Sequence, residues 1–154
     1  MTRILALVAV TLLAAPAGAT DTASAAPVIV SYDSSQSFDD VIFGLENAIL
    51  GQGLVVDTIH HVGEMLDRTR EDVGSTVVIF DHAEVYSFCS AALSRKVMEA
   101  DPMNVAFCPY NIFVSVRADA PGVTTIGYRS FPEGQMKEVE ALLDTIVRNA
   151  IGKE

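Results

Sequence analysis

Apolar and polar residues alternate along residues 28–152 with two different periods. Alternation at every second residue, or short β-branched runs, predicts strands at 28–32, 54–61, 76–80, 112–117 and 123–128. Apolar stripes at three- and four-residue spacing predict helices at 37–51, 63–70, 87–100 and 135–151. The resulting order, β-α-β-α-β-α-β-β-α, predicts an α+β fold: a two-layer domain, with a mixed β-sheet and helices packed on it.

Three of these segments carry sharper predictions. Residues 76–80 are nearly all apolar, which is typical of a strand covered on both faces, so we expect the central strand here. The turn residues Pro121-Gly122 predict that 112–117 and 123–128 pair as an antiparallel hairpin. Alternation in the first of these two strands predicts one buried face, formed by Ile112, Val114 and Val116.

The first residues of the chain have the pattern of a cleavable secretory signal peptide. Arg3 precedes an uncharged apolar run at 4–15, and Ala17 and Ala19 supply the small residues that a signal peptidase needs. We predict a signal peptide at 1–19, with a second small-residue site that would move the cut as late as residue 25. The apolar run is too short to cross the roughly 30 Å hydrocarbon core of a membrane.

Cleavage would leave a flexible stub at 20–27 and one soluble domain at 28–152, in the periplasm or secreted. After residue 19 the chain has twenty acidic and nine basic residues, a net charge of −11. This charge opposes binding to nucleic acid and to anionic membrane surfaces, because both depend on Lys and Arg.

Cys89 and Cys108 are the two cysteines of the chain. In an exported protein such a pair most often forms a disulfide, and helical spacing with Leu93 predicts that Cys89 points inward. Two alternatives stay open. Cys89 lies near a predicted helix N-terminus, where a lowered thiol pKa would make it redox-active or metal-binding. In the second alternative, both thiols are buried and no bond joins them.

His82 lies at the end of the expected central strand, a common place for binding sites. A set of His82 with Cys89, and with Cys108 or a methionine, would suit copper, and His82 alone would suit non-covalent haem. Tyr110 and Arg129 are further candidates for lining a ligand pocket. His60 and His61 are neighbours on a strand, so they point to opposite faces and cannot share an ion.

Several local sequences together resemble the family called domain of unknown function 302. They are Phe38-Asp39, Gly53-Leu54, Cys89, Ala100-Asp101-Pro102 and Pro109-Tyr110-Asn111-Ile112. The resemblance extends from about Val28 to Ala150, and it implies a compact α+β domain that often pairs into homodimers, with no established reaction. Many relatives carry a second cysteine where this chain has Tyr110, whereas Cys108 here lies just before Pro109.

Three functions are compatible with these observations. The first is an exported, non-catalytic binding or accessory domain with a ligand between the third helix and the hairpin. The second is a periplasmic haem- or copper-binding protein in electron transfer or metal handling. The third is a thiol-dependent redox enzyme. The sequence favours a non-catalytic protein, since it has no Gly-rich phosphate loop, no HExxH and no G-x-S-x-G motif.

Overall fold

The computed structural model describes residues 28–153. The predicted signal peptide (1–19) and stub (20–27) lie outside the described residues. The strands are β1 (Ile29–Ser34), β2 (Val56–His60), β3 (Phe80–Phe88), β4 (Tyr110–Arg117) and β5 (Thr124–Arg129). The helices are α1 (Phe38–Gly51), α2 (Val62–Thr69), α3 (Ala91–Ala100) and α4 (Met136–Ala150), with a 3-10 helix at Pro102–Phe107. None of the helices in this part of the chain is long and apolar enough to span a membrane.

The five strands form one open sheet in the order β1-β5-β4-β3-β2. The predicted element order, the α+β class and the hairpin of β4 with β5 are confirmed. Every strand pair among the described residues is antiparallel, so the sheet is not mixed as expected. β4 occupies the centre of the sheet, between β3 and β5.

The prediction of a central strand at 76–80 is wrong. β3 begins only at Phe80, and the side chains of Val77 and Ile79 before it are 64% and 51% exposed. A continuous apolar run is typical of a buried strand, but burial also requires strands that pair on both sides. The partners in this sheet pair with residues 80–88 instead, so the run remains at the surface.

The expected start of the third helix is also displaced. β3 continues to Phe88 because its pairing with β4 extends to the pair Phe88 and Tyr110. The helix therefore begins at Ala91, and the Ser90 hydroxyl accepts a hydrogen bond from the backbone N–H of Leu93. Such a bond satisfies one of the free N–H groups at a helix start, which explains why α3 begins here.

The core lies between one face of the sheet and the helices α1 and α4. The predicted buried face of β4 is confirmed, since Ile112, Val114 and Val116 are all buried. Apolar stripes of the two helices pack against it; they are formed by Val41, Leu45 and Ile49 of α1 and by Val139, Leu143, Ile146 and Val147 of α4.

Gly44 allows α1 to approach the end of α4 closely. A Cβ at this position would lie 3.0 Å from the carbonyl carbon of Ala150 and closer still to its oxygen. Gly51 ends the same helix, and a Cβ added there would meet nothing within 4 Å. An added methyl group would therefore collide with α4 at position 44 but not at position 51, although both glycines belong to α1.

We predict that Gly44→Ala lowers the free energy of unfolding by about 1–3 kcal/mol, the usual cost of overpacking. Gly51→Ala is the matched control. We expect it to leave stability unchanged or to raise it by about 0.4–1 kcal/mol, because alanine restricts the unfolded chain. Urea unfolding of both variants measures the difference. Equal stabilities would show that the helices do not meet at Gly44.

Asp144 joins α4 to the strands β1 and β5. Its Oδ1 accepts hydrogen bonds from the hydroxyls of Tyr32 (2.6 Å) and Tyr128 (3.0 Å), and its Oδ2 accepts one from Arg148 Nε (2.7 Å). Burial alone would raise the pKa of Asp144, but the three donors outweigh burial and hold the pKa below its ordinary value of 3.8. The ionised carboxylate is therefore the form that stabilises this contact.

We predict that Asp144→Asn lowers the free energy of unfolding by about 1–3 kcal/mol at neutral pH, because three donors, among them the buried Tyr128, lose their charged acceptor. The difference in the free energy of unfolding between Asp144→Asn and the wild type should become smaller at acidic pH. The lowered pKa contributes stability above the ordinary value of 3.8, and this contribution is lost as the pH falls through the folded-state pKa.

Denaturant unfolding at several pH values between neutral and strongly acidic checks this prediction. Asp119→Asn is the control, because its ion pair with Arg117 is exposed and such pairs contribute little. If the loss of unfolding free energy in Asp144→Asn does not change with pH, the Asp144 carboxylate charge does not stabilise the fold.

Candidate functional site

One face of the sheet is covered by α1 and α4, and the opposite face carries an open groove. The cavity along this face has a volume of about 570 Å³. We call it the open-face groove, and its lining residues are Val28, Ile29, His60, Val62, Val85, Asn111, Phe113 and Arg129. Most of this lining is apolar, with a few polar groups at its margin. This composition is typical of small-molecule sites.

The strand register brings residues from all five strands into one row across this face. Each residue of the row lies opposite the next: Ser31, Gly127, Phe113, Val85 and His60. Phe113 is central, with Val85 on one side and Gly127 on the other. Gly127 places no side chain beside the phenyl ring, and a Cβ there would lie 2.8 Å from the Cα of Ser31. Gly127 therefore allows β1 to approach closely, and Phe113 and Val85 form the apolar centre of the row.

The polar groups of the groove lie at its margin. Arg129 is exposed and pairs across the edge of the sheet with Ile29. Among residues 28–153, no carboxylate forms an ion pair with the Arg129 guanidinium. Asn111 is held in place, since its Oδ1 accepts from Ser87 Oγ at 2.6 Å and its Nδ2 donates to the Pro109 carbonyl. The groove therefore combines apolar side chains with the Arg129 guanidinium, which can donate hydrogen bonds to an anionic group.

The two cysteines lie close together, and neither lines the open-face groove. Their Sγ atoms are 2.8 Å apart, and both thiols are unbonded in the structure. Cys89 follows β3 and precedes α3, so it does not share a helical face with Leu93 as expected. Burial and the neighbouring Cys108 thiol raise the pKa of Cys89 to about 11. The expectation of a thiol activated by a helix N-terminus is not supported, because a raised pKa disfavours the thiolate.

The candidates His82, Tyr110 and Arg129 do not line one pocket. Tyr110 is buried in the core, where its hydroxyl accepts a hydrogen bond from Ser94 Oγ at 2.9 Å. The His82 ring stacks on Phe38 with ring centroids 4.8 Å apart. It lines a separate hollow of about 420 Å³ beside the start of α1. Only Arg129 belongs to the open-face groove.

The expected copper ligands do not come together either. His82 lies near the start of β3 and Cys89 directly follows its end, and seven residues of extended chain span about 23 Å. Among the described residues, no group of three or more His, Cys, Asp or Glu side chains is placed to hold a metal ion. His61 instead lies 2.8 Å from a carboxylate oxygen of Glu84.

A smaller cavity of about 410 Å³ lies next to the region where the sequence predicted a ligand. It is formed by the end of α3, the 3-10 helix and the segment that follows β5, with Met103, Phe107 and Met136 among its lining residues. It offers no cationic side chain in its lining. The open-face groove is larger and includes one.

Sequence reasoning singled out Arg129 but missed the rest of the groove. His60 was given no role, although its position on the face opposite to His61 follows from strand alternation. Phe113 lies on the side of the predicted strand 112–117 opposite to its buried face, and a phenylalanine on that side was the available signal. Asn111 lies outside the predicted strand. Their convergence depends on pairing between distant strands, which no local pattern shows.

The chain is similar to proteins of one family. The sequence model of the domain of unknown function DUF302 matches residues 30–150. One solved structure, the uncharacterized conserved protein DUF302 from Bacillus stearothermophilus, aligns with a TM-score of 0.59 and 18% identity. The alignment covers 82% of this chain and 98% of that protein. At this identity the likeness shows a shared fold. No curated protein matches the chain.

Proposed function

Because the chain belongs to the DUF302 family, which is defined without a known activity, we propose a function from its own geometry. The protein is an exported, non-catalytic binding domain, and its ligand occupies the open-face groove. The ligand is a small amphipathic anion, with an apolar body and a carboxylate or similar group at one end. The observation that carries this proposal is an apolar cavity with an arginine at its margin.

The apolar part of the groove supports an apolar ligand body. Its volume of about 570 Å³ falls within the range of roughly 300–1,000 Å³ found for small-molecule sites. Val28 and Ile29 at its margin are 70% and 56% exposed, so a ligand that covers them would remove apolar surface from water.

The margin of the groove supports a single anionic group. A guanidinium binds carboxylates through two parallel hydrogen bonds, which makes arginine well suited to this recognition. Asn111 and His60 line the same cavity and add hydrogen-bonding capacity. The chain's net charge of −10 opposes extended polyanions, and one local arginine suits a ligand with one charge.

Binding without catalysis is supported by what lines the groove. Its lining has no Ser, Cys, Thr or Lys that would act as a nucleophile, and no carboxylate that would act as a base. Export is supported by the N-terminal sequence, with its charged start, apolar run and small-residue cleavage site.

We predict that the mature chain, residues 20–154, binds decanoate saturably and binds decanol more weakly, since decanol has no charge for Arg129. Arg129→Gln should weaken decanoate binding about tenfold or more, because a charge-assisted hydrogen bond contributes about 1.5–3 kcal/mol. It should also remove the preference for decanoate over decanol. Isothermal titration calorimetry below the micelle concentration measures both ligands.

Arg95→Gln is the matched control, because Arg95 lies on α3 and pairs with Glu99 at the surface. It should leave decanoate affinity unchanged. Equal affinities of the two variants would contradict the role of Arg129. Failure of the wild-type chain to bind either decanoate or decanol would contradict the proposed ligand class.

A second candidate for the same face is pairing with another copy of this chain. It is favoured by the exposure of Val28 and Ile29 and by the homodimers that the family resemblance implies. We expect Phe113→Lys to abolish such a dimer, because it places a charge on the floor of the groove. Val105→Lys changes a residue that is 57% exposed in the 3-10 helix and should leave the dimer intact. Sedimentation equilibrium measures both, and a monomeric wild type would exclude this candidate.

A further inference from the structure

Cys89 and Cys108 flank a segment that leaves the sheet and returns to it. β3 ends at Phe88 and β4 starts at Tyr110, and these two residues are directly opposite each other in the antiparallel pair. The segment between them carries α3 and the 3-10 helix. We propose that Cys89 and Cys108 form a disulfide that closes this segment at its base and holds it on the domain.

Strand pairing places the two thiols together independently of any bond between them. Because Phe88 and Tyr110 are paired, the same register continued by one residue sets Cys89 opposite Pro109, the residue next to Cys108. The Sγ atoms lie 2.8 Å apart, so bonding needs an approach of less than about 1 Å. The disulfide therefore requires no rearrangement of the sheet.

Few residues of the segment 90–107 are fully buried, so a disulfide at its base should limit how readily the segment opens. Val97 is the one fully buried residue of α3, and the 3-10 helix has none. Met103 and Val105 of the 3-10 helix are 71% and 57% exposed. Leu93, Met98 and Phe107 pack against the core but are only partly buried, and regions with few fully buried residues open locally at lower free energy than the core.

A structural bridge fits the surroundings of the thiols better than a redox centre. The two cysteines are not arranged as C-x-x-C, the spacing of thioredoxin-like sites. Burial raises the pKa of Cys89, which slows attack on other disulfides. Neither cysteine lines the open-face groove, so this proposal and the proposed ligand site can fail independently.

The bond forms by thiol–disulfide exchange with a disulfide-bearing oxidant, for which oxidised glutathione is the test reagent. The thiolate of one cysteine attacks a sulfur of oxidised glutathione, and one glutathione thiolate leaves. The thiolate of the other cysteine attacks the protein sulfur of this mixed disulfide, and the second glutathione thiolate leaves. Two protein thiols are oxidised, one glutathione disulfide is reduced to two thiols, and the protein loses two hydrogens.

The mature chain is incubated with oxidised glutathione or with dithiothreitol, and its thiols are then titrated in denaturant. We expect no titratable thiol after oxidation, a mass lower by two hydrogens, and two thiols after reduction. Closing the loop should lower the equilibrium constant for unfolding on the order of 100-fold in the oxidised protein. Limited proteolysis should cut residues 90–107 faster in the reduced protein.

The double variant Cys89→Ala/Cys108→Ala is the control, and its stability and cleavage should be the same under both conditions. Two remaining thiols, or a stable glutathione adduct on the wild type, would overturn the bridge. A bridge that leaves both stability and proteolysis unchanged would overturn its role in holding the segment.

Discussion

The antiparallel pairing of β3 with β4 determines where the chemically distinctive residues of this chain meet. Because β4 is the central strand, the register of this pair sets the rows that cross the whole sheet. It places Val85 beside Phe113 on the open face and Tyr86 beside Ile112 in the core. The same pairing, followed to its end, brings Cys89 and Cys108 to the base of one excursion. A shift of one residue would exchange the two faces and separate these groups.

The two faces of the sheet are specialised in different ways. α1 and α4 close one face over an apolar core, and Asp144 ties α4 to the edge strand β1 through the hydroxyl of Tyr32. Buried polar groups in this layer have partners, as a stable core requires. The other face has apolar residues that no helix of the core layer covers. We propose that this face binds the ligand, because an open apolar patch with a cation at its margin is typical of an interaction site.

Local patterns were sufficient for the element order, the hairpin and the buried side of β4, because each of these depends on periodicity within one segment. They failed at 76–80, where an apolar run without strand partners on both sides stays at the surface. Only part of the candidate site could be predicted from the sequence. Arg129 stood out as a charged residue on a strand, but its proximity to Phe113 and His60 depends on the register of strands distant in sequence. The proximity of the two cysteines depends on the same register, whereas their presence and number were enough to suggest a bridge.

The most direct test of this account maps where an amphipathic anion contacts the folded protein. Backbone amide chemical shifts of the mature chain are recorded by NMR spectroscopy while decanoate is added. We expect saturable shifts that cluster on β3, β4 and β5 around Val85, Phe113 and Arg129. Shifts that cluster instead on the 3-10 helix and the start of α4, around Met103 and Met136, would contradict it.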